Sequence, residues 1–129
     1  MDLFQQQMNR KDEHVGHANQ QYRATSAPEF VETRFVHHPF TTVDVADVTL
    51  QTKLAGLTFF INAITGGSPL TTALNQRLAI LARETGMAMA TGSMSIAMKF
   101  PESAESFKVI RQENPNGILF ANLGAHYDA

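Results

Sequence analysis

From Thr58 onward the apolar residues recur in blocks that switch between two periods. Thr58 to Asn62 is a nearly continuous apolar run, the pattern of a parallel strand buried on both faces. Leu70, Leu74, Leu78 and Leu81 follow at helical spacing with Ala73 and Ala82 beside them, and Gly86 supplies a stop. Met87 to Thr91 reads as a second strand, ended by Gly92-Ser93. A second helix is predicted over Ser103 to Glu113 with Phe107 and Ile110 inward. The turn signal Asn114-Pro115-Asn116-Gly117 then leads into a third strand, Ile118 to Leu123.

Strand, helix, strand, helix, strand at this spacing argues for right-handed βαβ units in a parallel sheet, an α/β fold. The carboxyl ends of such strands share one face. Asn62 precedes Ala63-Ile64-Thr65, Thr91 precedes Gly92-Ser93, and Asn122 precedes Leu123-Gly124, so Thr65, Ser93 and Asn122 are expected to converge. A row of neutral hydrogen-bonding groups there suits an uncharged heterocycle better than a metal.

The front third lacks this grammar. Up to about Pro39 it is rich in charge, histidine and glutamine, and a helical turn or two is the most that its pattern predicts. Between Val43 and Leu57, alternating Val43, Val45, Val48 and Leu50 suggest short strands or a hairpin. Residues 1–57 therefore read as an irregular N-terminal segment or lid, and residues 58–129 as the start of the main fold.

Composition narrows the function classes. The 129 residues carry a formal net charge of −2, which gives no reason to expect a nucleic-acid groove or a polybasic membrane patch. No cysteine occurs, so disulfides and thiolate metal sites are excluded. The residues from Met1 to Arg10 have no apolar core of signal-peptide length, and no run is long enough to span a bilayer. A cytoplasmic protein with small-molecule partners, or with copies of itself, is the expectation. His37-His38 and the His14/His17 pair have no third ligand at a sensible spacing for zinc. Asp44 and Asp47 read as loop or cap residues, and Met87, Met89, Met94 and Met98 mostly as core packing.

The junction Asn62-Ala63-Ile64-Thr65-Gly66-Gly67-Ser68-Pro69 has two readings. Two glycines without Cβ atoms allow a planar or anionic ligand to approach the backbone. Equally, Ser68 and Pro69 form a sound helix start, a cap residue followed by proline at the first helical position, with no ligand involved. Likewise, Arg10-Lys11-Asp12-Glu13 on its own is the composition of a solvated face.

Four blocks taken together carry a resemblance. Arg10-Lys11-x-x-His14, Asn62-Ala63-Ile64-Thr65-Gly66-Gly67, Ala90-Thr91-Gly92-Ser93-Met94 and Ala121-Asn122-Leu123-Gly124-Ala125 occur in an order similar to that of type II isopentenyl-diphosphate isomerase. Any one block is weak, but four in order are specific, and they run from about Met8 to Ala125. The resemblance implies a (β/α)8 TIM-barrel flavoprotein of isoprenoid biosynthesis. Such an enzyme uses reduced FMN, with NADPH and Mg²⁺, to interconvert isopentenyl and dimethylallyl diphosphate. The reduced flavin itself is thought to be the acid-base group. No buried carboxylate pair or activated nucleophile is legible here, as that chemistry leads one to expect.

The resemblance carries over residue by residue. Ala63, Ile64 and Thr65 match the segment along the flavin ring, with Ile64 where the family usually has methionine. Ser93 and Asn122 match flavin-contacting positions, and Ser93, Met94 and Ser95 match a loop facing the substrate. Arg10 and Lys11 match the pair that holds the diphosphate, with His14 nearby, and their cationic donors suit phosphate oxygens. Gly66-Gly67 is placed by the ring and not at the flavin phosphate.

A (β/α)8 barrel takes roughly 250 residues, so this chain is expected to hold the first two to three βα units of an incomplete barrel, inactive alone and a homo-oligomer when full length. The metal-binding glutamate of the family is not among its residues. Two alternatives stay open. One is another FMN-dependent barrel, such as a 2-hydroxy-acid oxidase, against which the Arg10-Lys11-x-x-His14 block speaks. The other is a non-catalytic remnant that serves as a binding or assembly module.

Overall fold

The structure, a computed structural model, describes residues 2–23, 36, 43–49 and 59–124. Three parallel strands, β1 (Phe60–Ile61), β2 (Ala88–Ser93) and β3 (Leu119–Asn122), form one sheet in the order β1-β2-β3. Helix α2 (Pro69–Thr85) connects the first two strands. A short helix α3 (Ser95–Lys99), a 3-10 turn over Pro101–Ala104 and helix α4 (Glu105–Glu113) connect the last two. This is the expected α/β arrangement with an open sheet.

Register explains the two faces. Phe60 pairs with Ala88, Ile61 with Met89, and Met89 with Leu119. Successive strand residues point to opposite sides, so Ile61, Met89 and Leu119 share the side where Ala79 and Ala82 of α2 and Val109 and Ile110 of α4 close the core. On the other side, Phe60 and Phe120 meet edge to face at 5.7 Å between ring centres.

Helix α2 begins and ends as its sequence predicts. The Ser68 hydroxyl accepts from the Thr71 N–H at 3.1 Å while the Thr71 hydroxyl accepts from the Ser68 N–H at 2.8 Å, and Gly86 closes the helix at φ 71°. Its buried face differs from the leucine stripe, however. Leu70 and Leu81 are exposed, and Thr71, Asn75, Ala79 and Ala82 face inward. Small side chains at that spacing let α2 lie close against α4 and the sheet, which a row of leucines would prevent.

The described part of the N-terminal segment is more regular than its pattern predicts. Residues Leu3–Arg23 form one continuous helix, α1, opened by the Asp2 carboxylate, which accepts from the Gln5 N–H at 2.7 Å. Glutamine, methionine, lysine and alanine favour a helix and no proline interrupts them, but few apolar residues mark a face. Val45–Asp47 is a 3-10 turn in which the Asp44 carboxylate accepts from the Ala46 N–H. The remainder of the hairpin expected up to Leu57, His37-His38 and Ala125 lie outside the described residues. Among the described residues no helix is long and apolar enough to cross a membrane.

Candidate functional site

Glycine is required at three points of the junction, and each time the neighbour is protein. A Cβ on Gly66 would come within 2.5 Å of the Phe107 ring, one on Gly67 within 2.6 Å of Ile96, and one on Gly92 within 2.4 Å of the Thr65 carbonyl carbon. Gly67 also adopts φ 113°, a conformation that disfavours any side chain. The segment between β1 and α2 is thus pressed over the end of β2 and against α3 and α4. Of the two readings of Gly66-Gly67, the one without a ligand accounts for both glycines: Phe107 and Ile96 occupy the space that the missing side chains leave.

A buried polar network fixes the same segment. The Asn75 carboxamide donates to the Thr65 carbonyl at 3.3 Å and to the Ser106 carbonyl at 3.0 Å, and the Ser106 hydroxyl accepts from the Gly67 N–H at 2.9 Å. Sequence reading missed both Asn75 and Ser106, which lie 31 positions apart. Thr65 points inward: it is buried, and its hydroxyl has no hydrogen-bond partner. Ala63 is half-buried and Ile64 exposed. Asn122 is exposed and pairs in register with Ser93, and its carbonyl accepts from the Met94 N–H at 2.9 Å.

Above the strand ends, α1 closes a cavity of about 290 Å³. Arg10, Lys11 and His14 line it from α1, Ile64 from the junction, and Ser93 and Ser95 from the end of β2 and the start of α3. Gln7, Ile96, Lys99 and Phe100 complete the wall, and none of these four was singled out in the sequence. Met94, half-buried, lies outside the lining, and so do Ala63, Thr65 and Asn122. The hydroxyls of Ser93 and Ser95 are 2.8 Å apart.

Two contacts dock α1. The Phe4 and Phe100 rings lie 5.1 Å apart, and the Ser68 hydroxyl donates to the Asp12 carboxylate. Between these contacts Lys11 is the one buried residue of the helix. Burial, and secondarily the neighbouring Arg10, hold its ammonium pKa below the ordinary lysine value. The lining includes no carboxylate, so the cavity is a cationic recess suited to an anion.

No protein-family model matches the chain. The isopentenyl-diphosphate delta-isomerase of Staphylococcus saprophyticus subsp. saprophyticus is 48% identical over 120 residues, covering 90% of this chain and 34% of that protein. Proteins of the same name from Kitasatospora griseola and Nocardia farcinica are each 47% identical, over 121 and 122 residues, covering 33% and 34% of their lengths and 90% and 91% of this chain. The chain is homologous to the type II isopentenyl-diphosphate delta-isomerases. It spans about a third of the length of the curated relatives it matches.

Of the four blocks that resemble the isomerases, three contribute residues to the cavity and the fourth adjoins it through the pairing of Asn122 with Ser93. Among the described residues no group of three or more His, Cys, Asp or Glu stands together as a metal site.

Proposed function

We propose that this chain supplies the substrate-facing cationic wall of an isomerase that interconverts isopentenyl and dimethylallyl diphosphate on a (β/α)8 barrel. In this reading residues 1–57 are the leading segment and residues 58–129 the first barrel units. The observation that carries it is the meeting of Arg10, Lys11 and His14 with Ser93 and Ser95 around one cavity that no carboxylate lines. Arg10 and Lys11 hold the diphosphate by charge-assisted hydrogen bonds. Ile64 offers the isoprenoid chain an apolar surface, and Ser93 and Ser95 orient it.

The accessible residues at the strand ends fit a flavin ring. Ala63, Ile64, Ser93 and Asn122 would hold it, whereas Thr65 would take part through its backbone, its side chain being turned inward. Bound reduced FMN would supply the acid-base group for the proton that leaves and enters the carbon skeleton, and NADPH its reducing equivalents. The residues present do not fit Mg²⁺, since the cavity lacks a carboxylate and Asp12 is engaged with Ser68. No step here runs through the metal.

The test is a hybrid in which this chain replaces the matching third of the Staphylococcus saprophyticus enzyme. The hybrid should bind FMN and isomerise isopentenyl diphosphate. Replacing Arg10 and Lys11 with alanine removes contacts worth about 1.5–3 kcal/mol each, so the Michaelis constant should rise by about a hundredfold or more while FMN occupancy holds. An inactive but folded hybrid, or a double variant with unchanged substrate affinity, refutes the reading.

A further inference from the structure

Helix α3 is only five residues long, yet it serves two sides at once. Ile96 is buried against Gly67, while Ser95 and Lys99, one helical turn apart, both line the cavity. The next residue, Phe100, is the one that meets Phe4 of α1. Phe4 and Lys11 are seven positions apart and so lie on one face of α1, with Gln7 between them also lining the cavity. The aromatic contact therefore ties the C-terminal end of α3 to the helix that carries Arg10 and Lys11. Among the described residues the only ion pair is Arg83 with Glu113, on the far side of α2, so Lys99 has no acidic partner there.

Three basic side chains thus share a recess of about 290 Å³ without a neutralising carboxylate in its lining. Like charges held together in this way repel, and an anion with several charges relieves the repulsion better than a single carboxylate does. We infer that Lys99 is a third cationic ligand of the substrate's diphosphate, reaching it from α3 while Arg10 and Lys11 reach it from α1. The assignment rests on the isomerase reading above and adds a specificity-determining residue to it. A ligand held from two separate elements needs charge at both of its phosphoryl groups, so monophosphates are selected against.

The experiment uses the hybrid isomerase, with inorganic pyrophosphate and inorganic phosphate as probes competing against isopentenyl diphosphate. Lys99→Gln should weaken pyrophosphate inhibition and raise KM by about tenfold, a modest figure because the side chain is exposed. It should leave kcat and FMN content near their starting values and narrow the preference for pyrophosphate over phosphate. Lys99→Arg should restore most of the affinity. If Lys99→Gln leaves pyrophosphate affinity unaltered while the Arg10/Lys11 double variant weakens it, Lys99 is idle and the isomerase reading survives. If neither variant weakens it, both fall. A loss that Lys99→Arg does not restore, accompanied by a lowered Tm, makes Lys99 a structural residue and overturns the assignment.

Discussion

The Ser68 hydroxyl joins two helices: it accepts from the Thr71 N–H to cap α2 and donates to the Asp12 carboxylate of α1. The position of Arg10 and Lys11 over the cavity therefore depends on a cap in the adjoining helix. Asp12→Ala removes a charged acceptor from a half-exposed site, costing about 1 kcal/mol of α1 docking after allowing for solvent. In the hybrid, amide exchange across Leu3–Arg23 should quicken about fivefold. The Michaelis constant should rise more than kcat falls. Unchanged exchange rates would show that Phe4 and Phe100 hold the helix without help.

Gly66 and Gly67 make a paired prediction because they are required for different reasons. Gly66→Ala meets only side chains, chiefly the Phe107 ring and less closely the Asn75 carboxamide at 3.3 Å, so overpacking of about 1–3 kcal/mol should be largely relieved by adding Phe107→Ala, apart from the cost of the lost ring. Gly67→Ala meets Ile96 and also an unfavourable φ. Backbone strain of about 1–2 kcal/mol persists when Ile96 is trimmed, so Ile96→Ala should not rescue it. Melting temperatures of the two double variants, each compared with its single variants, separate the cases.

What the sequence made legible was whatever local spacing encodes. The three strands, the Ser68-Pro69 start and Gly86 end of α2, and the inward Phe107 and Ile110 of α4 all stand where their patterns put them. Helix α1 escaped because its buried residue is a lysine, which counts as polar in any periodic reading. Helix α3 spans five residues, too few for a period to emerge. The contacts that require the glycine pair were not legible, because Phe107 is about forty positions away and nothing near Gly66 announces it. Lys99 becomes visible as a cavity residue only after Ser95–Lys99 is known to be helical.

The Asn75 carboxamide holds the junction to α4, so its loss should be felt both in stability and at the ring site. Asn75→Leu leaves the Gly67 N–H bond to Ser106 in place but strips the Thr65 carbonyl of its partner, at about 1–3 kcal/mol. In the hybrid, FMN should dissociate more readily, read from flavin fluorescence on dilution. The Michaelis constant for isopentenyl diphosphate at saturating FMN should move little.

Phe60 is exposed beside the Phe120 ring, on the side of the sheet opposite α2 and α4. An apolar face of this kind drives association in water. The 129-residue chain by itself should sediment as concentration-dependent oligomers, and Phe60→Lys should shift it toward monomer. A wild-type chain that stays monomeric at all concentrations would show that this face is satisfied within the chain.

Lys11 links anion binding to protons. Burial and Arg10 favour its neutral form, so its pKa in the free protein lies below the ordinary value, whereas a diphosphate beside it favours the charged form and raises that pKa again. Binding must therefore take up protons at a pH where free Lys11 is partly neutral, and affinity must fall as pH rises through the lowered pKa. Calorimetric titration of the hybrid with pyrophosphate, repeated in buffers of different ionisation enthalpy as pH is raised toward the ordinary lysine range, should show a proton uptake, relative to Lys11→Met, that grows with pH. Lys11→Met should bind more weakly and lose this component, leaving only the protons that pyrophosphate itself exchanges, and Lys99→Gln should bind more weakly with the component retained. Proton exchange that is the same in Lys11→Met as in the unaltered hybrid would assign the proton to another group and remove Lys11 from contact with the diphosphate.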